Sequence, residues 1–358
     1  MSWWSDVDGD DDEGEYDGFD ESSIRTRPNP KANRPRTKTR PSHDDAVAGR
    51  VMTVDRGRFT VLIGEDTPEE HAVAASRARE LGRTAIVTGD RVDVVGDTSG
   101  ESGSLARVVR VQERTTLLRR SADDSDAVER VIVANADQML IVVAAANPEP
   151  RARLIDRYLV AAFDAGVTPI LCITKTDLAD PAELLSEFAA LDIRVVTLSR
   201  DDVPVDELTE LLVGKSTVTV GHSGVGKSTL VNALVPGADR ATGVVNTVTG
   251  RGRHTSSSTV CLRLHSADGR TGWIIDTPGV RSFGLGHVDP ANILRSFVAT
   301  AHLPEGPPPG GIPLTEAHDW EIVDRVEAGE LGESGRARLH SLQKLLDTTG
   351  PSGPAGAR

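Results

Sequence analysis

Between Gln138 and Gly221 the sequence alternates short apolar runs with helical patterns. The runs are QMLIVVAAA, TPILCIT, IRVVTLS and STVTVG, and the segments between them, such as LIDRYLVAAFDAG, place apolar residues at helical spacing. Strands that are apolar almost throughout are buried on both faces of a sheet, and their alternation with helices is typical of parallel strand–helix–strand units. This stretch therefore predicts a mostly parallel sheet covered by helices on both sides.

A glycine-rich motif, GHSGVGKST, follows the last of these runs and opens a helical segment. In that context it predicts a phosphate-binding loop (P-loop), because backbone N–H groups and a helix N-terminus then surround the phosphates. Lys227 is expected to reach the β- and γ-phosphates, and Ser228 to ligate Mg²⁺. The predicted nucleotide contacts of the loop are Gly221, Ser223, Gly224, Val225, Gly226, Lys227, Ser228 and Thr229.

The motif WIIDTPG supplies a second predicted part of a nucleotide site. Asp276 ends an apolar run, where a carboxylate can hold Mg²⁺ or a water bound to it. Gly279 is expected to offer its backbone N–H to the γ-phosphate and is, with Lys227, a predicted catalytic residue. An ordinary turn at the end of a strand is the alternative for this motif alone, but the P-loop upstream disfavours it.

The tetrapeptide TKTD, at the end of TPILCIT, is similar to the base-reading loop of GTPases, with Thr174 where Asn is usual. Asp177 can accept hydrogen bonds from guanine N1–H and N2–H₂, a donor pair that adenine lacks. Lys175 can lay its stem over the base plane. Ser199, after the next apolar run, lies in a loop that could present a backbone N–H to guanine O6. Taken alone, Asp177 could instead be a helix N-cap.

The order of these motifs along the chain is unusual, because the base-reading loop precedes the P-loop. Ligands bind at the carboxyl ends of parallel strands. Strands that end at Thr174, Ser199, Val220 and Asp276 would place all the motifs on one edge. Joining the termini of a domain and cutting it elsewhere is tolerated when the termini lie close together. The sequence therefore predicts a circularly permuted GTPase domain.

The N-terminal part of the chain has a different pattern. Residues 46–120 contain short β-like runs, with a hairpin signal at Asp55–Gly57 and a turn at Thr88–Asp90 between two further runs. They predict a small barrel, for which an OB-fold is one candidate and an SH3-like barrel stays open. Residues 1–23 carry ten acidic residues and residues 24–42 carry seven Lys or Arg, and both are predicted to be disordered. The basic block could hold a phosphate backbone or pair with the acidic block.

Charge and cysteine content bear on the class of protein. The net charge of −14 argues weakly against a nucleic-acid partner, and no apolar run reaches the ~18 residues of a membrane span. The acidic N-terminus does not fit a secretory signal, so we expect a cytoplasmic protein. Cys172 and Cys261 lie in strand-like runs and are expected to be buried core residues, too few for a Cys-rich zinc site.

The chain resembles the family of the circularly permuted ribosome small-subunit-dependent GTPase A, RsgA, also called YjeQ. The matching stretches cover Val131 to Leu285 and include TKTDL, GHSGVGKSTLVNAL, GRGRHTSSS and DTPGVRSFGL, while TGDRV and RTTLLRR match its OB-domain. The resemblance implies a GTPase that uses GTP, GDP and Mg²⁺, assists late maturation of the 30S ribosomal subunit and is stimulated by it. The implied partners are the 30S subunit and 16S rRNA, without a membrane; we also expect a monomer.

The resemblance also bears on catalysis. Val280 follows DTPG where Ras-like proteins place a water-orienting Gln. The family instead suggests a His of the GRGRHT segment, which is His254 here, with a contact to RNA or solvent as the alternative for that side chain. Thr255 or a neighbouring serine is expected to close on Mg²⁺.

The C-terminal region departs from the family. Many members carry a zinc knuckle of three Cys and one His, but the corresponding stretch contains His318 and no Cys, so we expect no zinc. Two amphipathic helices are expected there instead, held by apolar contacts. The candidate contacts are Leu314, Trp320, Ile322, Val323, Leu339, Leu342 and Leu345.

The predicted fold is multi-domain, with an N-terminal OB-type β-barrel, a central α/β P-loop GTPase domain in circularly permuted order and a small α-helical C-terminal subdomain. The predicted boundaries are 1–45 for a tail, 46–120 for the barrel, 121–288 for the GTPase domain, 289–350 for the helical subdomain and 351–358 for a second tail. Two other functions stay open. An ATP-using P-loop kinase or ATPase would leave Thr174–Asp177 and Ser199 unexplained, and an RNA-binding module would make the nucleotide site structural.

Overall fold

The computed structural model describes residues 42–121, 129–191, 193–238, 259–277, 328–329 and 332–347. The chain divides into two compact units, Met1–Ser42 and His43–Arg358. The described part of the second unit consists of a barrel, a two-stranded sheet, a helix-covered parallel sheet and a C-terminal helix.

Five strands close into a barrel. They are β1 (Val47–Asp55), β2 (Arg58–Ile63), β3 (His71–Arg77), β4 (Arg91–Gly96) and β5 (Ala106–Val111). The strands pair in the order β1-β2-β3-β5-β4, and β4 pairs back with β1. Only β3 and β5 are parallel within the barrel. This closure confirms the predicted barrel and fits the five-stranded OB type.

One barrel strand differs from the prediction. The run Thr84–Thr88 forms no strand, and within it Thr88 makes only an isolated bridge to Val133. Its place is taken by β3, whose sequence HAVAASR is rich in alanine. Alanine has a low preference for strands, so this segment gave little signal in the sequence.

The parallel sheet follows a separate antiparallel pair, β6 (Leu117–Ser121) and β7 (Glu129–Ala134). Its strands are β8 (Gln138–Ala144), β9 (Thr168–Thr174), β10 (Arg194–Thr197), β11 (Ser216–Gly221), β12 (Val260–His265) and β13 (Thr271–Asp276). They lie in the order β10-β9-β8-β11-β13-β12, and only β12 is antiparallel to its neighbour in this sheet. The prediction of a mostly parallel sheet is confirmed.

Helices cover both faces of this sheet. They are α1 (Ala152–Asp164), α2 (Ala182–Phe188), α3 (Val205–Leu212) and α4 (Lys227–Leu234). Along β8, Met139, Ile141 and Val143 join the core under α1, whereas Leu140, Val142 and Ala144 join the core under α3 and α4. The two cores explain why the strand is apolar at successive positions.

The barrel and the parallel sheet share strand pairing and core. Thr53 of β1 pairs with Val260 of β12, so the two sheets run into one another. Leu62 of β2 packs in the same core as Cys261. Burial raises the pKa of Cys261, like that of Cys172, to about 12, so neither thiol is reactive at neutral pH.

A C-terminal helix, α5 (Gly332–Asp347), packs on the parallel-sheet unit. Leu339 is buried in the core under α1, and Lys344 Nζ lies 3.3 Å from Asp156 Oδ2. The helical subdomain as a whole stays a prediction, because the other expected contacts and His318 lie outside the residues whose side chains are described. Within the described ranges no helix has the length and apolarity needed to cross a bilayer.

His71 should make the stability of the barrel depend on pH. Its Nε2 faces Thr98 O at 2.8 Å and its Nδ1 faces Glu69 O at 2.6 Å, so both ring nitrogens have acceptors and the imidazolium fits best. These hydrogen bonds raise the pKa of His71 above 6.5. A group whose pKa is raised by folding stabilises the folded protein. This contribution to the free energy of unfolding is fully present below the pKa of the group in the unfolded chain, and it is lost as the pH rises through the pKa in the folded protein.

We therefore expect His71→Gln to lower Tm by ~1–2 °C in acid and by less as the pH rises above 6.5. Thermal melts of the wild type and of His71→Gln, at pH values below and above 6.5, provide the measurement. A difference in Tm that does not vary with pH would contradict the protonated state of His71.

Candidate functional site at the carboxyl edge of the parallel sheet

The predicted site residues meet at one edge of the parallel sheet. Thr174 ends β9 opposite Ala144 of β8, and Gly221 ends β11 opposite Val142 of β8. On the other side of β11, Thr219 stands opposite Asp276, the last residue of β13. The base-reading loop, the P-loop and the end of WIID are thus neighbours across the sheet although the first precedes the others by many residues.

The base-reading loop is attached directly to the P-loop. Thr174 Oγ1 donates a hydrogen bond of 2.5 Å to Val225 O, and both residues are buried. Lys175 Nζ donates to Gly224 O at 2.8 Å and also to Asn147 O. Thr174 therefore has a role that needs only a hydroxyl group, and Asn147 is a contact that the sequence gave no reason to single out.

The loop after β10 lies beside the base-reading loop. The backbone N–H of Arg200 donates to Asp177 Oδ1 at 3.0 Å, which fixes the exposed carboxylate against this loop. The N–H of Ser199 donates to Asp202 O at 3.0 Å, and Ser199 Oγ accepts from Asp202 N at 3.1 Å. The loop is therefore closed on itself in this structure, and the role of Ser199 toward guanine stays a prediction.

Two glycines allow the path of the P-loop. A Cβ on Gly221 would lie 2.5 Å from Val142 O, so a larger residue cannot follow β8 this closely. Gly226, immediately before α4, has φ +93°, a left-handed conformation that glycine adopts without strain. The backbone then enters α4 with Ser228 and Thr229 exposed at the N-terminal turn, where the helix dipole favours anions.

Lys227 and Asp276 form an ion pair between the P-loop helix and β13. Their side chains are 11% and 23% exposed, respectively. Asp276 Oδ1 also accepts from Thr219 Oγ1 at 3.1 Å, and Thr277 Oγ1 donates to Thr219 O at 2.6 Å. The carboxylate is thus held by its own sheet and faces the lysine that the motif assigns to phosphate.

The oxygen atoms at this edge fit Mg²⁺. The hydroxyl of Ser228 is exposed at the head of α4, and the carboxylate of Asp276 lies beside the preceding lysine. Hydroxyl and carboxylate oxygens are the hard ligands that Mg²⁺ takes together with substrate phosphates. Three further predicted site residues, His254, Thr255 and Gly279, lie outside the described residues.

Comparisons with known proteins agree with this fold. The crystal structure of YjeQ from Thermotoga maritima matches with a TM-score of 0.57 and 24% identity, over 84% of this chain and 98% of that one. YloQ, described as a circularly permuted GTPase, matches with a TM-score of 0.55 and 21% identity, over 87% and 99%. These structures support the fold. The fold is therefore similar to that of YloQ, the protein described as a circularly permuted GTPase.

Sequence comparisons show which family part of the chain is similar to. Residues 111–286 match the family model for the RsgA GTPase. The small ribosomal subunit biogenesis GTPase RsgA of Pseudomonas aeruginosa strain LESB58 is 40% identical over 221 residues, and that of Pseudomonas syringae pv. syringae strain B728a is 41% identical over 221 residues. The alignments cover 60% of this chain and 62% and 61% of those relatives' lengths.

The bond between Thr174 and Val225 leads to a prediction for nucleotide affinity. Thr174→Val keeps the shape of the side chain but leaves Val225 O without this donor, which costs about 1–3 kcal/mol. Because the carbonyl belongs to the P-loop, we expect the Kd for a fluorescent GDP analogue to rise about tenfold. Thr174→Ser retains a hydroxyl and should bind like the wild type. Equal affinities for the Val and Ser variants would rule out this role.

Proposed function

We propose that this protein binds GTP at the carboxyl edge of its parallel sheet, hydrolyses it to GDP and phosphate, and binds the small ribosomal subunit to assist its late maturation. The observation that carries the proposal is the bond from Thr174 Oγ1 to Val225 O, which brings a base-reading loop onto a P-loop. The relatives' name, small ribosomal subunit biogenesis GTPase, supports the choice of partner. A contact with 16S rRNA, a monomeric state and a cytoplasmic location belong to the same proposal.

The binding step in this proposal uses residues of two neighbouring loops. Backbone N–H groups of Gly221–Thr229 surround the phosphates, Lys227 neutralises their charge, and Asp177 selects guanine. Lys175 reaches Gly224 O across the base-reading loop, so its stem is held near the predicted base plane. Lys227 exchanges its partner Asp276 for phosphate when nucleotide binds.

The chemical step needs a positioned water and stabilisation of phosphate charge. Ser228 and Asp276 would hold Mg²⁺, with Thr255 as a further ligand, and bound Mg²⁺ supplies positive charge to the phosphate oxygens. Gly279 would donate its N–H to the γ-phosphate. His254 would orient the attacking water, a task for which an imidazole is suited.

The decisive experiment measures GTP turnover by the full chain with and without purified 30S subunits, together with GTP and ATP competition for the same site. We expect guanine preference and stimulation by the subunit. Preference for ATP would favour a P-loop kinase or ATPase. Intact GTP binding without stimulated hydrolysis would favour an RNA-binding module with a structural nucleotide site.

His254→Ala should lose the stimulation. Groups that handle protons or water in a transition state contribute about 100-fold or more, so we expect stimulated turnover to fall by about that factor while GDP affinity is unchanged. Phosphate release in the presence of 30S subunits provides the measurement. His222→Ala is not a suitable control, because His222 lies within the P-loop motif GHSGVGKST. His265→Ala, at the exposed end of β12, is the better control. Full stimulation of the His254 variant would assign this side chain to RNA or solvent.

A further inference from the structure

A polar cluster joins the barrel to the parallel sheet at the edge opposite the P-loop. Its centre is Trp273 of β13, whose ring contacts two guanidinium groups, with Arg50 Cζ 4.9 Å and Arg263 Cζ 4.6 Å from the ring centroid. Trp273 Nε1 donates to Glu65 Oε1 at 2.9 Å. Trp273 is 6% exposed. We call Arg50, Glu65, Arg263 and Trp273 the clamp.

The acidic side of the clamp belongs to one barrel loop, Gly64–Glu70, between β2 and β3. Glu65 accepts two hydrogen bonds from Arg50, at 3.2 and 3.1 Å, and pairs with Arg91. Arg50 and Arg91 stand opposite each other on β1 and β4, so this carboxylate compensates two adjacent cations. Burial raises the pKa of Glu65, but Arg50, Arg91 and Trp273 together outweigh burial and hold it below 4.5, so Glu65 is charged at neutral pH.

Arg263 forms ion pairs with the same loop. Its Nη2 lies 2.7 Å from Glu70 Oε2 and 3.4 Å from Asp66 Oδ1. Within the described part of the chain, Arg263 Nε and Nη2 are buried without a hydrogen-bond partner, so ion pairing and ring contact hold this guanidinium. Arg263 and Trp273 are register partners on β12 and β13. The barrel loop therefore contacts two neighbouring strands, β13 through Trp273 and β12 through Arg263.

The clamp also reaches the strand that leads to the P-loop. Arg50 Nη1 donates to Ser216 Oγ at 3.3 Å, and Ser216 begins β11 directly opposite Trp273. Three residues further along the same two strands, Thr219 stands opposite Asp276 and donates to its Oδ1. At ~3.3 Å per residue, the clamp and this carboxylate are about 10 Å apart along the strands.

We infer that Arg50 and Glu65 of the barrel are positioning residues for the phosphate edge of the GTPase domain. By fixing the beginnings of β11 and β13 against each other, they set where Asp276 stands relative to Lys227 at the other end. A partner that shifts the Gly64–Glu70 loop thereby shifts the phosphate edge. The inference rests on the proposed GTP site. Its physical basis is that packed strands move as units, and that buried charges have little water to replace a lost partner.

Two variants of the full chain test this role. Trp273→Phe keeps an aromatic ring for both guanidinium groups and removes the N–H that Glu65 accepts. Glu65→Gln keeps acceptor and donor atoms but removes the charge shared by Arg50 and Arg91. The matched control is Arg110→Gln, which breaks the pair with Asp93 between β5 and β4, inside the barrel. All are assayed well below their melting temperatures for GTP turnover, with and without 30S subunits, and for GDP affinity.

We expect both clamp variants to lower kcat about tenfold, because small displacements of reacting groups are costly, while KM and GDP affinity change less than about twofold. Arg110→Gln should turn over GTP like the wild type. Clamp variants that melt earlier but keep wild-type kcat would reduce the clamp to a purely structural contact. A wild-type protein that does not turn over GTP would refute the proposed function. The inference would still be tested by nucleotide binding, because the fluorescence of Trp273 needs no turnover.

The fluorescence of Trp273 can report directly on changes at the clamp. Replacing Trp3, Trp4 and Trp320 by Phe leaves Trp273 as the single tryptophan of the chain. Since the inference couples the phosphate edge to the clamp, we expect GDP with Mg²⁺ to shift the emission of Trp273, and Glu65→Gln in this background to reduce that shift. Unchanged emission at saturating GDP would overturn the inference. Loss of the shift is distinguishable from loss of binding because a fluorescent GDP analogue reports affinity separately.

Discussion

Lys227→Met should lower kcat/KM for GTP by about a thousandfold. Removing one preorganised group that stabilises developing charge costs ~10²–10³ in rate, and Lys227 also contributes to binding of the phosphates. Its side chain is 11% exposed and already faces a carboxylate, so the surroundings are arranged for a cation. Methionine preserves most of the length and apolar contact of the lysine stem without the charge. Phosphate release and binding of a fluorescent GDP analogue measure the two effects.

The control for this prediction is Lys215→Met, which removes an exposed lysine just before β11, at the opposite end of the strand from the P-loop. It changes net charge equally and should leave GTP turnover within about twofold of the wild type, because exposed charges far from the phosphates are screened. If Lys227→Met retained turnover within about tenfold, the ion pair with Asp276 would be a structural contact and the phosphates would be bound elsewhere.

The residues at the carboxyl edge of the sheet were predictable because each motif directly follows its own strand in the sequence. Each motif follows an apolar run, and a parallel strand that ends in a functional residue places that residue at the carboxyl edge whatever its order in the chain. The run TPILCIT became β9 without change of bounds, and STVTVG became β11, which ends at Gly221, one residue after the predicted Val220. Neighbour order across β9, β8, β11 and β13 then brought Thr174 to Val225.

The contacts between barrel and sheet were not predictable in the same way. Glu65 and Trp273 are separated by 208 residues. Glu65 lies in no motif, and the motif WIIDTPG, which begins at Trp273, gives that side chain no predicted partner. A tryptophan within an apolar strand predicts burial, but not that two arginines from different strands will stack on it. Likewise, the carbonyl acceptors of Lys175 and Thr174 depend on the paths of loops, for which side-chain patterns carry little information.

The substitution of Thr for Asn in the base-reading loop also has a physical account. Thr174 is 2% exposed and its hydroxyl is committed to Val225 O, so the side chain is turned toward the P-loop. In the proposed site, guanine selection would then depend on Asp177, whose carboxylate is exposed and accepts a hydrogen bond from the N–H of Arg200. Phosphate-loop support and base choice are thus assigned to different residues of one tetrapeptide.

Asp177→Asn should therefore reverse the preference between GTP and XTP. Guanine presents N1–H and N2–H₂, two donors that match two carboxylate oxygens. Xanthine presents N1–H and a carbonyl oxygen at C2, so an amide, with one acceptor and one donor, matches it instead. An unmatched pair of polar groups at a binding site costs ~10²-fold or more, and gain and loss combine to a change in the GTP/XTP ratio on the order of 10⁴.

The backbone contact of Asp177 makes this variant a clean test of base choice. Arg200 N donates to Oδ1, and an amide retains that acceptor, so the loop should keep its position. Asp180→Asn is the matched control, since within the described part of the chain its carboxylate accepts a hydrogen bond only from the backbone N–H of Ala182. It should not alter the ratio of GTP to XTP affinity in competition binding. If Asp177→Asn weakened both nucleotides equally, Asp177 would support the loop without reading the base, and guanine preference would have to come from the segment around Ser199.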